Sequence, residues 1–210
     1  MTTHPTTAPE PTAGTGPALT LDGLIGYTLR VRSSTTRGAP ADAAALRAGL
    51  SPATETYALS RTELYLTGLP VAARAGARRA AAICAAATNA PQIGDTKKHW
   101  KVGDSIRALY NRENPKRDIS KNLGDGIVQS VGTLPMLDVE AAAATLAMLI
   151  QRCSHQGIPV NYYDLARTLT YWGNGISPRS VQTRQRVVSS FYQHTTRPAT
   201  AANPDTKELP

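Results

Sequence analysis

The sequence contains few of the residues on which several classes of protein depend. Only two of its 210 residues are cysteines. Cys84 and Cys153 both stand in runs rich in Ala or Leu, which predicts buried free thiols rather than a disulfide framework. Aromatic residues make up 5% of the chain, and no segment alternates β-branched or aromatic residues with polar ones as a strand does. With Ala abundant, these absences predict an all-α protein.

Long apolar runs are also absent. No stretch reaches the roughly 18 apolar residues that a membrane-spanning helix needs. The first residues lack the basic start and apolar centre of a secretory signal peptide. We therefore expect a cytoplasmic protein that has no contact with a membrane.

Residue patterns that carry enzyme chemistry are missing too. There is no glycine-rich phosphate loop that ends in Lys-Ser or Lys-Thr, no nucleophile elbow and no Cys–His pairing. The carboxylates stand mostly at predicted helix starts, where capping explains them. None of the four histidines has metal-ligand spacing: His4, His99, His155 and His194. We expect no catalytic residue, no metal and no cofactor, and hence no enzyme.

The residues that are present predict roughly eight or nine helices. They form two packed bundles in this interpretation, an N-terminal one over residues 19–101 and a C-terminal one over 102–194. An Ala-rich helix over 71–87 is expected at a bundle centre, because small side chains let neighbouring helices approach. Another helix is expected to open at Lys116, with Ile119, Leu123, Ile127 and Val131 on its core face. Residues 1–18 and 195–210 are rich in Thr, Pro and Ala, and we expect disordered tails there.

The formal net charge is +8 and the pI is about 9.8, which favours a polyanionic partner. A basic loop holds Lys97, Lys98 and Lys101 around Trp100. Two interpretations stay open: a site for a nucleic-acid backbone with a ring for stacking, or a solvated turn whose Trp folds back onto the bundle. Each cation could also be a solvated surface charge. The full set chosen on charge alone is Lys97, Lys98, Lys101, Arg112, Lys116 and Arg117.

Residues 161–193 form the most patterned segment. Asn161 is expected to cap a helix, with Asp164 reaching back as a partial capping box, and Ser177-Pro178 fits the start of the next helix. One interpretation is a DNA-reading helix–turn–helix of a transcriptional regulator. Its recognition helix would span 177–190 and turn four residues to the bases: Arg179, Ser180, Gln182 and Thr183.

The other interpretation makes this segment the packed core of the C-terminal bundle. Leu165, Leu169 and Trp172 recur at helical spacing, and the link after Trp172 is longer than the usual tight turn of about 3–4 residues. The contribution to binding would then come from Arg179 and Arg184, which would hold a phosphate backbone rather than read bases.

Four motifs in order carry a family resemblance. They are LRAGL from Leu46, LYLTGLP from Leu64, VGDSIRALY from Val102 and VNYYDLARTLTYW from Val160, before a basic last helix that ends in Phe-Tyr. Together they resemble the small subunit of the type I-E CRISPR surveillance complex Cascade, the CasB family. Asn161 stands where that family usually has Asp, and the link after Trp172 is longer.

The resemblance implies a non-catalytic structural subunit of a crRNA-guided antiviral complex. The implied partners are other Cascade subunits with crRNA, the target and displaced non-target DNA strands, and a second copy of the chain. A basic surface would stabilise the R-loop. The positions that the resemblance assigns to nucleic-acid binding are Arg47, Arg107, Lys121 and Arg179.

Overall fold

Nine α-helices make up the fold of residues 20–94 and 99–193, which are the residues that the computed structural model describes. The only bridge of strand type within them is an isolated one between Gln92 and Val160. The all-α prediction is therefore confirmed, whereas both predicted tails lie outside the described residues. The helices are α1 (Leu21–Ser33), α2 (Ala39–Ala48), α3 (Thr56–Leu66), α4 (Val71–Ala86), α5 (Val102–Glu113), α6 (Gly126–Thr133), α7 (Val139–His155), α8 (Tyr162–Thr170) and α9 (Pro178–Tyr192).

None of these nine helices is long and apolar enough to cross a lipid bilayer.

The C-terminal helices begin where capping residues predict. Asp138 accepts a hydrogen bond from the backbone N–H of Ala141 at the start of α7, and Asn161 accepts one from Asp164 at the start of α8. Ser177 caps α9, whose first residue is Pro178. The predicted return bond from Asp164 to Asn161 was wrong, since the Asp164 carboxylate accepts from Val102 N–H at 3.0 Å instead. Tertiary packing thus uses the side chain that a local rule assigned to a cap.

The segment after α5 differs from its prediction. In place of a helix that opens at Lys116, the chain forms a single 3₁₀ turn over Ile119–Lys121 and then α6. Asp118 caps the turn and Asp125 caps α6. These two local caps interrupt the segment that the apolar spacing predicted as one helix. Leu123 lies between them and is 64% exposed, which corrects its assignment to the core.

Helix α4 lies at the centre of the molecule, as its small side chains predicted. Nine of its residues are buried, and it packs against α1, α2, α7 and α8. The closest approach is at Gly76, where an added Cβ would lie 2.1 Å from the carbonyl oxygen of Leu169 in α8. A side chain there would meet backbone, which cannot move aside as a flexible side chain can.

Two apolar clusters share α4. The smaller one joins α4 to Leu24, Val31, Leu46 and Leu66 of the first three helices. The larger one joins Ile83 and its neighbours to residues of α1 and of α5 to α9. The division into bundles 19–101 and 102–194 stays a prediction, with α4 contributing to the core on both sides.

A buried arginine of α4 connects the segment before α3 with α7. Arg79 lies in α4 and is 1% exposed. Its guanidinium donates to Glu55 at 2.7 Å and to Glu140 of α7 at 2.7 Å. Burial alone would raise the pKa of the Glu55 carboxyl, but Arg79 and Arg78 outweigh it and hold that pKa below its usual range.

Replacing Gly76 with Ala tests the close crossing of α4 and α8. The new methyl group forces the two backbones apart, and we expect Gly76→Ala to lower the free energy of unfolding by about 1–3 kcal/mol. Urea unfolding followed by circular dichroism measures this. Gly132→Ala in α6 is the matched control, because nothing lies within 4 Å of its added Cβ. That control is expected to be neutral or to stabilise by up to about 1 kcal/mol. Equal stability of the two variants would contradict the packing described.

Candidate nucleic-acid interface

A polar groove of about 540 Å³ runs between α8 and the outer face of α9. Its cations are Arg167 from α8 and Arg179 and Arg186 from α9, and Tyr171 supplies an aromatic face. No carboxylate is among the described residues that line it, which are completed by Gln182, Thr183, Gln185 and Ser189. The groove therefore presents cations and neutral hydrogen-bonding groups.

Tyr171 and Arg179 form a stacked pair at one end of this groove. The Arg179 guanidinium carbon lies 3.7 Å from the centre of the Tyr171 ring, within the range of a cation–π contact. The turn between α8 and α9 creates this pair, because Gly173 (φ 59°) and Gly175 (φ 79°) take the left-handed conformation that reverses the chain.

The Asp164 carboxylate connects this groove to the basic loop before α5. It is 6% exposed and accepts the Val102 N–H with one oxygen. Its other oxygen lies 3.3 Å from an Arg186 nitrogen and 4.0 Å from the Lys101 ammonium. Asp164 thus holds Lys101, from the loop before α5, beside Arg186 of α9. With Arg167 of α8, cations from three segments of the chain lie near one another.

Of the basic loop itself, Lys101 is placed by the structure, whereas the predicted residues Lys97 and Lys98 lie outside the described residues. The Trp100 indole N–H donates to the Ser105 hydroxyl at 2.9 Å, and the ring is partly buried. Trp100 therefore folds back toward α5, as the second interpretation of this loop predicted.

A second group of predicted cations surrounds the C-terminal end of α5. Arg107 donates to the carbonyl oxygens of Phe191 and Tyr192 at the last turn of α9. Since Arg179 and Tyr192 are separated by 13 residues of helix, the two groups lie roughly 20 Å apart along α9. The other members of the group are exposed: Arg112, Lys116, Arg117 and Lys121.

The second group of cations also contains a carboxylate, that of Asp118. A hydrogen bond from the Ser120 backbone N–H holds the pKa of the Asp118 carboxyl below its usual range, so an anion stands among these cations.

Arg47 is exposed in the last turn of α2, a helix that packs mainly against α1, α3 and α4. Arg47 therefore belongs neither to the groove nor to the group of cations near the end of α5.

Arg184 takes a different place from the one that its charge indicated. It is 6% exposed, and its guanidinium donates to the carbonyl oxygens of Trp172, Gly173 and Pro135. Burial lowers the pKa of this guanidinium from its usual value. Arg184 therefore ties the α8–α9 turn to the segment before α7, and we leave it out of the proposed binding surface.

Burial also decides between the two interpretations of residues 161–193. Leu165, Leu169 and Trp172 are at most 1% exposed. Ser180 and Thr183, which a recognition helix would turn to DNA bases, are 2% and 9% exposed. Half of the predicted base-reading set is thus buried, which favours the packed-core interpretation.

Arg167 and Arg186 line the groove but were not among the predicted binding residues. Arg167 stands four residues before Tyr171 on one face of α8, a spacing that could have indicated a shared surface. No local pattern marks Arg186, because its place depends on how α9 packs against α5 and Asp164.

Groups that could hold a metal or react as nucleophiles are not part of this interface. Within residues 20–94 and 99–193, no cluster of three or more His, Cys, Asp or Glu side chains is placed to bind a metal ion. Cys84 and Cys153 are buried free thiols, as predicted, and burial raises the pKa of each to about 12. At neutral pH both thiols are protonated and weakly nucleophilic.

Comparison with known proteins adds a family to this geometry. The family model of CRISPR-associated protein Cse2 matches residues 42–192, which include every groove residue. The chain belongs to this family. Cse2, also called CasB, is the small subunit of type I-E Cascade, so the resemblance seen in the sequence is confirmed. This Cse2 protein is therefore a structural subunit of a Cascade complex in CRISPR defence.

Among solved structures, the fold is similar to that of CasB from M. ruber. The two share 20% sequence identity and superpose with a TM-score of 0.53, over 83% of this chain and 94% of the M. ruber chain. At this level of identity the likeness supports the fold rather than individual residue roles. No curated protein sequence matches the chain.

Arg184→Ala separates a structural arginine from a binding one. We expect it to lower the free energy of unfolding by about 2 kcal/mol or more, because three backbone carbonyls lose their charged donor. Arg179→Ala is the control from the same helix, and its exposed side chain should change stability by about 0.5 kcal/mol or less. Thermal and urea unfolding measure both. An Arg184→Ala protein as stable as the Arg179→Ala protein would contradict the role given to Arg184.

Proposed function

We propose that this Cse2 protein binds the target and displaced non-target DNA strands through a basic surface and so stabilises the R-loop. It does so in the cytoplasm within a crRNA-guided complex, beside the other Cascade subunits and a second copy of itself. The observation that carries the proposal is that Arg167, Arg179 and Arg186 line one groove. Lys101 lies beside it, at the Asp164 carboxylate that also pairs with Arg186.

The ion pairs in this groove leave its cations usable. Arg167 pairs with Asp22 at 2.7 Å, but both side chains are at least half exposed. Arg186 shares Asp164 with Lys101, and Arg179 contacts a ring rather than a carboxylate. Exposed ion pairs contribute only about 0–1 kcal/mol, so a phosphate can replace Asp22 as the partner of Arg167 at low cost. The nearly buried Asp164 keeps Arg186 and Lys101 in place. Four cations against two carboxylates leave an excess of two positive charges.

The phosphate backbone of a DNA strand can follow the surface from the groove to the second group of cations. Roughly 20 Å of α9 separates them, a distance that about six phosphates of one strand of a B-form duplex span at about 3.4 Å each along the axis. Arg112, Lys116, Arg117 and Lys121 would continue the contact, with Arg107 at the junction. Contacts of this kind follow the backbone and carry no sequence information.

R-loop formation gives such a surface its effect. The RNA–DNA duplex that forms is about as stable as the DNA duplex that it replaces, so modest contacts to the displaced strand shift the equilibrium. A protein that holds several phosphates of that strand favours the open state without any catalytic group.

Salt dependence and charge removal test the proposal. Fluorescence anisotropy of the full-length chain with labelled single- and double-stranded DNA should show affinity that falls steeply with salt, since counterions are released from each contacted phosphate. We expect Lys101→Gln with Arg179→Gln to weaken binding about tenfold at low salt and to reduce the salt slope. The control with the same net charge is Arg37→Gln with Arg61→Gln, on the α1–α2 turn and on α3. Equal affinity of the two double variants would overturn the proposed surface.

The basic loop can be tested separately. Charge reversal of Lys97, Lys98 and Lys101 together should weaken DNA binding further than the loss of Lys101 alone, because three cations become anions. Unchanged binding would remove the loop from the surface. A separate selection of bound sequences from random DNA should enrich no motif, whereas a sequence-reading regulator would enrich one.

A further inference from the structure

The stacked pair of Tyr171 and Arg179 separates two cavities. Both residues line the basic groove, and both also line a second pocket of about 550 Å³ on their other side. That second pocket is mostly apolar, with Pro70, Ala73 and Val139 among its walls. A charged groove and an apolar pocket therefore meet at one aromatic–guanidinium wall.

A single nucleotide has the chemistry that fits this pair of cavities. Its phosphates match the groove, where Arg167 and Arg186 stand with no lining carboxylate. Its base is a flat ring that stacks on aromatic side chains and on planar guanidinium groups. Bases inside a duplex are already stacked and paired, so only an unstacked nucleotide can offer a free ring face.

We propose that one unstacked nucleotide of the displaced strand binds across this wall. The base enters the apolar pocket beside Tyr171 and Arg179, and its flanking phosphates lie in the groove on Arg167 and Arg186. The inference rests on the proposed function, and it gives the basic surface a preference for single-stranded over double-stranded DNA.

Polar groups at the pocket can meet the edge of a base. Thr170, which is 4% exposed, lines the pocket, and its Oγ1 has no hydrogen-bond partner in the part of the chain that the structure describes. Buried polar atoms are rarely left without a partner, and a bound polar edge would supply one. The Asn174 side-chain oxygen accepts from the Ile176 N–H at 3.0 Å, so its NH₂ group is the part that can donate to a base.

Strands of equal charge test the base pocket. The full-length chain is titrated with short oligodeoxythymidylate and with a strand of the same phosphate count whose central nucleotides are abasic. We expect wild-type protein to bind the thymidylate strand about tenfold more tightly, the size typical of stacking one base on a protein ring. Arg179→Lys keeps the charge and loses the planar group, so the ratio should fall toward one.

Further variants separate stacking from other effects. Tyr171→Ala should lower the ratio as well, and Tyr171→Phe, which retains the ring, should restore it. Arg37→Lys, in the exposed α1–α2 turn, is the control for an Arg-to-Lys change and should keep the wild-type ratio. Thermal unfolding checks that each variant is folded, and Arg179→Lys carries the test if Tyr171→Ala is not.

Photo-crosslinking locates the base directly. A single strand that carries 5-iodouracil should crosslink to the peptide that contains Tyr171, identified by mass spectrometry. Crosslinks confined to other peptides would overturn the base pocket, as would equal affinity for the thymidylate and abasic strands. In the second case, salt-dependent binding of both strands would leave the proposed DNA-binding function standing. No salt-dependent binding of either strand would overturn both.

Discussion

The close crossing of α4 and α8 is the constraint on which the rest of the structure depends. Gly76 brings the α4 backbone against the Leu169 carbonyl, where any side chain would collide. This contact fixes α8 over the central helix of the fold. Because α8 carries Asp164 and Arg167 and is followed directly by Tyr171, its position sets one side of the basic groove and one face of the stacked wall.

Asp164 then connects the parts that the crossing has positioned. A nearly buried carboxylate needs hydrogen bonds or cations around it. Asp164 obtains them from the first N–H of α5, from Arg186 of α9 and from Lys101. The same interaction that stabilises the carboxylate gathers the cations of the proposed DNA surface.

Arginine has two separate uses in this Cse2 protein. Arg32, Arg79 and Arg184 direct their guanidinium groups at backbone carbonyls or partly exposed carboxylates, where they join segments distant in sequence. Arg167 and Arg179 stay exposed. A net charge of +8 therefore overstates the charge that a polyanion meets, since part of it is committed to the interior. The sequence interpretation therefore selected Arg184 and passed over Arg167, because charge does not reveal which arginine is buried.

Local patterns in the sequence determined the helical class, the extent of α4 and the caps at Asn161 and Ser177, because these features depend on residues within a few positions of each other. The order of four motifs also indicated the family. Local rules failed at Leu123, where two caps interrupt an apolar spacing, and at Asp164, whose partner lies 62 residues away. Only the tertiary structure decided which arginines are buried and that Lys101, Arg167, Arg179 and Arg186 share one surface. Burial and charge convergence depend on contacts between distant segments, which no local spacing records.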